Sequence, residues 1–367
     1  MTNQEIGLPE KRAELKNIIN EGRDKTFPAY FYKGIGQFLA RIFHLKRQPH
    51  WSVSSFVLAV LSFLPGTLIA FVTKEIYQWR FYEWILHVGA LFLYLVTIVA
   101  YLNIVYNILP GIRDHIVDSI QSISDLDKLE KWLNSMWSPS GQLSFMICFG
   151  LLHGVSVVLL VSNAGGGFIG IGFAISAFLV AALTDIAVYF ILWMLTLPAE
   201  LTDCQLDMYE SDPANSEVIQ QLIYILNVYI YYVVGFCAIG TLIGALVPAM
   251  SYTIWFFIIL GWVPTVAQFL ANQYAIRKLI IRAKWRNLNR LQAQIKELQN
   301  TNLINAPETT ITRLNQLMDL HDRISARPNS VLNWGTGLSF LNQLLLPMLG
   351  LLLGNIDKFV KFLTGKP

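Results

Sequence analysis

Runs of apolar residues longer than about 18, the length of a helix that crosses a bilayer, constrain this chain more than any other feature. They fall at 51–72, 85–109, 144–161, 169–197, 221–247 and 252–275. The period-2 alternation of membrane β-strands is absent, so each run reads as a helix. Composition agrees: 14% of residues are charged, against roughly 25% in a soluble domain. The expected fold class is an all-α polytopic membrane protein with six transmembrane helices.

The placement of charge orients those helices. With the N-terminus in the cytoplasm, the inner segments are 1–50, 110–143, 198–220 and everything past 275. They then hold all of the 27 Lys and Arg except Lys74 and Arg80. Basic residues accumulate on the cytoplasmic side, which predicts an N-in, C-in topology. The soluble bulk would be cytoplasmic, under a membrane of plasma or inner-membrane type. A net charge of +3 is too small to imply a nucleic-acid partner.

Four regions follow. Residues 1–50 form an N-terminal cytoplasmic region. Its first part, 1–27, reads as a tail or short solvated helix. Its second part carries Ile35, Phe38, Leu39, Ile42 and Phe43 on one helical face, with Lys33, Arg41, Lys46 and Arg47 elsewhere. Such a basic amphipathic helix before a span lies in the headgroup plane. Residues 51–275 form the membrane domain. Within it Pro65-Gly66 predicts a kink, Pro110-Gly111 ends the second span, and Pro198 closes the fourth. The stretch 114–137 reads as one amphipathic helix, with Trp132 and Trp137 against the membrane surface. The loop 198–217 carries Glu200, Asp203, Asp207, Glu210, Asp212 and Glu217 without Lys or Arg. It lacks calcium-loop spacing and reads as solvated.

Residues 276–327 form a cytoplasmic helical hairpin stalk. Ile281, Leu288, Leu291, Ile295 and Leu298 fit heptad positions, interrupted by Lys284. The return arm repeats the pattern with Ile311, Leu314, Leu317, Met318 and Ile324. Residues 328–367 form a membrane-associated helix with a basic tail. Pro347, the Gly350–Gly354 pair and the following Lys358, Lys361 and Lys366 favour a re-entrant or interfacial helix over a seventh span.

Candidate functional residues lie inside the apolar runs. Gln220, Tyr224, Asn227 and Tyr231 share one face of the fifth run. Thr265, Gln268 and Asn272 share one face of the sixth. In the assigned orientation both stripes sit in the cytoplasmic half and would line a pore vestibule, with Gly261 and Pro264 as a hinge. The bland alternative is interhelical hydrogen bonding. His153 and Asp185 lie at similar depth and would form an intramembrane polar pair, as a proton or cation site or as a helix pin. Gly150–Gly154 and Gly240–Gly244 are small-residue packing pairs.

Cys148, Cys204 and Cys237 make no CxxC motif and the histidines have no ligand spacing, so neither metal nor cofactor is expected. The residues of a membrane hydrolase are missing, which weighs against an enzyme. The leading expectation is an oligomeric channel-like or permease-like protein. The alternative is a non-conducting scaffold or signalling anchor whose stalk binds a soluble partner. An intramembrane enzyme is third. The expected partners are the lipid bilayer and further copies of the chain.

Overall fold

The computed structural model describes residues 3–72, 81–163, 169–183, 186–246, 263–300 and 307–329. The expected turn at 248–251, the hinge Gly261, Asp185 and the tail 331–353 lie outside the described residues. So do the side chains of Thr265, Pro264, Cys237 and the Gly240–Gly244 pair. The chain is all-helical among the described residues. The helices are α1 (Asn3–Asp24), α2 (Phe27–Ile42), α3 (Trp51–Val72), α4 (from Phe81–Asn103 on to Val117–Ser119), α5 (Ile123–Met136), α6 (Pro139–Asn163), α7 (Ile169–Leu183), α8 (Ile186–Leu201), α9 (Glu217–Leu246), α10 (Val263–Gln299) and α11 (Glu308–Ala326). Among the described residues, three segments are long and apolar enough to cross a membrane: Trp51–Val72, Tyr94–Ser119 and Glu217–Gly235. The α7–α8 pair, bent by 44°, makes a fourth if it is counted as one span.

Several sequence boundaries are corrected. The second apolar helix does not stop at Pro110-Gly111. It passes through two π-helical turns, Ile104–Ile108 and Ile112–Ile116. There the Leu109 N–H bonds to the Ile104 carbonyl and the Val117 N–H to that of Ile112. The wider turn accommodates a proline ring that would clash with the carbonyl four residues back. The break comes instead at Ile120, which is extended and bridges antiparallel to Leu206. The expected helix over 114–137 is therefore two elements. Ser122 starts the second, its side chain accepting from the Asp125 N–H at 3.2 Å. Pro198 lies inside α8, which runs on to Leu201.

The N-terminal segment is not a tail. Leu15 and Ile19 of α1 are buried, and Lys11 reaches Glu130 of α5 at 2.6 Å and Asp127 at 3.2 Å. Those carboxylates, Glu130 first, raise the Lys11 pKa and keep the ammonium charged. Arg12 donates to the Ile120 carbonyl at 2.6 Å, closing the break between α4 and α5. Low overall apolarity concealed this docking face in the sequence. Trp132 and Trp137 are likewise buried rather than laid on a membrane surface. Trp132 Nε1 donates to Thr196 of α8 at 2.9 Å.

A buried polar joint links these helices to the apolar ones. Thr26 caps α2 by accepting from the Ala29 N–H and bonds the Tyr101 hydroxyl at 2.6 Å. Gln142 of α6, fully buried, accepts from the Phe27 N–H at 3.0 Å and donates to the Trp137 carbonyl at 3.2 Å. Thr26, the Tyr101 hydroxyl and Gln142 thus each have a partner, which is the condition for burying them cheaply.

Small residues set the closest helix approaches. A Cβ on Gly150 would stand 3.0 Å from the Phe178 ring, and one on Gly154 would stand 3.3 Å from the Ala174 carbonyl. The small-xxx-small pair thus seats α6 on α7. The α3 face against α7 carries Ser55, Ala59, Ser62, Gly66 and Ala70, all buried. At Pro65-Gly66, Ser176 of α7 accepts from the Gly66 N–H at 3.0 Å and donates to the Phe63 carbonyl at 3.3 Å. A neighbouring serine thus bonds backbone groups on either side of the proline.

Gly22 offers a stability test. A Cβ there would lie 2.4 Å from the buried Trp137 ring, whereas a Cβ on Gly34 meets nothing within 4 Å. Gly22→Ala should cost about 1–3 kcal/mol by overpacking. Gly34→Ala should be neutral or gain up to about 1 kcal/mol from helix propensity. Thermal melts of the purified variants in one detergent check both directions.

Candidate functional site

The candidate site is the polar seam of α9 and α10, together with the ionic joint where α10 leaves the apolar helices. On α9, Leu222, Ile225, Leu226 and Tyr229 are buried on the face toward the core, and the helix packs extensively on α4. Gln220, Tyr224 and Tyr231 lie on the opposite side and are exposed, with Asn227 half-buried between them. Tyr231 is 60% exposed. The α9 stripe is therefore an outward face of the single chain.

The α10 stripe turns elsewhere. Gln268 Nε2 donates to the Leu195 carbonyl of α8 at 3.0 Å and to Asn272 Oδ1 at 3.3 Å. Pro198, four residues beyond Met194, supplies no N–H for the Met194 carbonyl. Gln268 binds the neighbouring carbonyl on this weakened turn. Asn272 is 2% exposed, and its Nδ2 has no acceptor among the described residues. An amide buried without one of its bonds costs about 1–3 kcal/mol. The polar contacts of Gln268 thus run to α8 and to Asn272.

His153 is half-buried on α6. Its Nδ1 lies 3.1 Å from the Phe149 carbonyl one turn back, and since a carbonyl only accepts, Nδ1–H is the donor. The ring tilts against Phe149 with centroids 4.5 Å apart. The expected pairing with Asp185 cannot be placed, because Asp185 is outside the described residues.

The ionic joint was not expected. The loop after α8 reads as solvated in the sequence, and the basic residues of α10 as a cytoplasmic accumulation of charge. They pair with each other instead. Arg282 bonds both the Thr202 carbonyl and Asp203, the latter at 2.6 Å. Lys278 stands 3.9 Å from Asp203, Arg290 bonds Glu210 at 3.0 Å, and Arg327 beyond α11 reaches Asp212 at 3.7 Å. The loop also carries buried Cys204, Leu206 and Ala214. Asp125 of α5 accepts from the Gln205 N–H at 2.9 Å. The Arg282 guanidinium holds the Asp203 carboxyl below its usual range, while burial pushes the Cys204 thiol up to about 11. The available signal was the segregation itself: a loop with six acids and no base, followed by a helix with bases and few acids.

Lys284 completes the joint. It interrupts the heptad pattern of α10 and is 7% exposed. Its ammonium donates to the Ser325 carbonyl at 2.8 Å, the Arg327 carbonyl at 2.6 Å and Asn329 Oδ1 at 2.9 Å. All three donors are used, and they cap the C-terminal end of α11, where the helix dipole favours a cation. Leu288 and Ile295 are buried on α10, as are Leu314 and Ile324 on α11, which packs alongside. The heptad face is thus used within the chain's own hairpin. Among the described residues, no group of three His, Cys, Asp or Glu could hold a metal.

Comparison with protein-family models, with curated proteins and with solved structures finds no match.

Lys284→Met should destabilise the hairpin by about 2 kcal/mol, because it strips three acceptors of a charged donor. The readout is faster hydrogen exchange over 308–326, with α1 and α5 unchanged. The Asp203 tie has a defined pH sense. Its folded pKa is depressed, so the contribution is full above the ordinary carboxylate range and is lost as pH falls through the lowered value. Exchange protection around 202–207 should therefore hold from pH 8 to pH 5 and fall only in stronger acid. Asp203→Asn should show the loosened state at every pH.

Proposed function

We propose that the chain is one subunit of an oligomeric channel-like or permease-like membrane protein, with six spans in an N-in, C-in arrangement. The observation that carries this reading is Asn272. A buried amide whose donor has no acceptor among the described residues, linked to Gln268 on a helix that leaves the apolar core, is a polar site suited to water or a passing solute. The outward stripe of Gln220, Tyr224, Asn227 and Tyr231 supports an oligomer, because a second copy or a shared aqueous path would cover polar surface that lipid would not. In this reading α10 couples the path to the cytoplasmic hairpin. Its 37 residues form one continuous helix of about 55 Å, clamped at its middle by Arg282 and Lys284.

A second reading has its own support. The hairpin exposes Trp285, Ile311 and Met318, a scatter of apolar surface on an otherwise polar element. A non-conducting anchor that offers this surface to a soluble partner would carry the same residues.

Flux separates the two. Purified protein in liposomes should pass small ions or solutes, and Gln268→Leu with Asn272→Leu should change the rate about tenfold or more while leaving the melting temperature within a few degrees. No flux across screens of voltage, pH and ion type would overturn the channel reading and leave the anchor.

A further inference from the structure

The strongest unassigned surface lies at the opposite end of the chain from the polar seam. Helix α2 has three distinct sides. Pro28, Ala29, Tyr32 and Gly36 are buried, and a Cβ on Gly36 would stand 3.2 Å from Ser54 Oγ, so this side lies hard against α3. A second side carries Phe38 and Ile42, both more than half exposed, and the exposed apolar strip continues into Phe43 and Leu45. The third side is polar, with Lys33, Gln37 and Arg41 spaced four apart.

The helix ends in an unusual way. The Leu45 N–H returns to the Ala40 carbonyl at 2.9 Å, and His44 between them has φ 49°, the left-handed conformation. This is the position where glycine is normally used. His44 is the one non-glycine residue with positive φ among the described residues. A side chain held there at an energetic cost points to a use for that side chain.

Around it the charge is unbalanced. Arg41, His44, Lys46 and Arg47 are all exposed, and none makes an ion pair among the described residues. Between Asp24 and Glu75 the chain has no acidic residue at all. Lys33 is already taken by Asp24 at 3.2 Å and by the Trp51 ring at 5.9 Å. On α10, Arg282, Lys284 and Arg290 are likewise engaged. The turn after α2 is thus a cluster of four unmatched cationic or donor groups beside an exposed apolar strip.

Its depth is set by the neighbouring span. Trp51 opens α3 and packs edge-on to Tyr106, whose ring also stacks on His50 at 5.2 Å. Aromatic groups at the end of an apolar helix mark the headgroup level. Just beyond, α3 exposes Val53, Phe56 and Val60, so the strip on α2 runs into a face that meets acyl chains.

We propose that α2 and the turn 43–48 form a binding surface for anionic phospholipid of the inner leaflet. Phe38, Ile42 and Phe43 enter the acyl boundary, and Arg41, His44, Lys46 and Arg47 hold the phosphodiester and its net charge. The surface rests on α3 crossing the bilayer and not on conduction, so a protein that passes no ions leaves it standing.

Native mass spectrometry of the protein after incubation with equimolar phosphatidylglycerol and phosphatidylcholine tests this. The wild type should retain the anionic lipid with about tenfold preference, following the attraction of each basic residue to an anionic surface. Arg41→Gln, Lys46→Gln and Arg47→Gln together should remove most of that preference while the melting temperature holds. Lys296→Gln with Arg313→Gln, an uncharging of the distant hairpin, should not. Equal retention of both lipids by the wild type would overturn the proposal. So would equal loss in the hairpin variant, which would show a net-charge effect, or displacement of the lipid by millimolar inorganic phosphate, which would show a free-anion site. In nanodiscs, hydrogen exchange over 38–48 should slow when phosphatidylglycerol is added; no change there would also count against it.

Discussion

Arg282 joins the two oppositely charged segments of this protein. Its guanidinium bonds the Thr202 carbonyl and Asp203 just past the end of α8, at a point midway along α10. An exposed ion pair by itself contributes little. Here the pair belongs to a set that includes Lys278, Arg290 with Glu210, and Arg327 with Asp212. Together they fold an acidic loop onto a basic helix. The loop in turn delivers Leu206 to Ile120 and Gln205 to Asp125. The ends of α4, α5, α8 and α11 and the middle of α10 are thereby held in one charged assembly beside the apolar helices.

Burial of polar groups follows the same logic at each level. Gln142, Thr26 and Asp125 are buried and satisfied, and each closes a junction between helices. Lys284 is buried with all three protons donated, which fixes the register of the hairpin at the cost of one apolar heptad position. Asn272 departs from this pattern, with one amide donor left over. Trp137 Nε1 and the hydroxyls of Tyr32 and Tyr229 are likewise buried without a partner among the described residues, but each belongs to a largely apolar ring, whereas Asn272 is an amide.

Much of the helical framework was legible in the sequence. Apolar length located α3, α6 and α9, and the hairpin of α10 and α11 followed from heptad spacing. Gly150 and Gly154 were legible as packing residues. Proline misled at Pro110 and Pro198, because a π turn in one case and a late helix end in the other absorb the ring. The capping signal Ser122-x-x-Asp125 was present but was overridden by an apolar pattern that runs through the break. Of the candidate site, the bond of Gln268 to the Leu195 carbonyl of α8 was not legible, since a helical face says which residues lie together but not which neighbour they meet.

Sequence alone determined the class of this protein, because apolar length and backbone hydrogen bonding leave a chain of this kind only the helix. It also separated the acidic loop from the basic helix, as composition must. Only the tertiary structure decided where the charges went. Lys and Arg near a membrane are drawn both to headgroups and to carboxylates, and distance selects between them. For Arg282, Lys284 and Arg290 an acceptor of the chain itself stands within 3.0 Å. For Arg41, Lys46 and Arg47 no acid stands near among the described residues, and the charge is left facing outward.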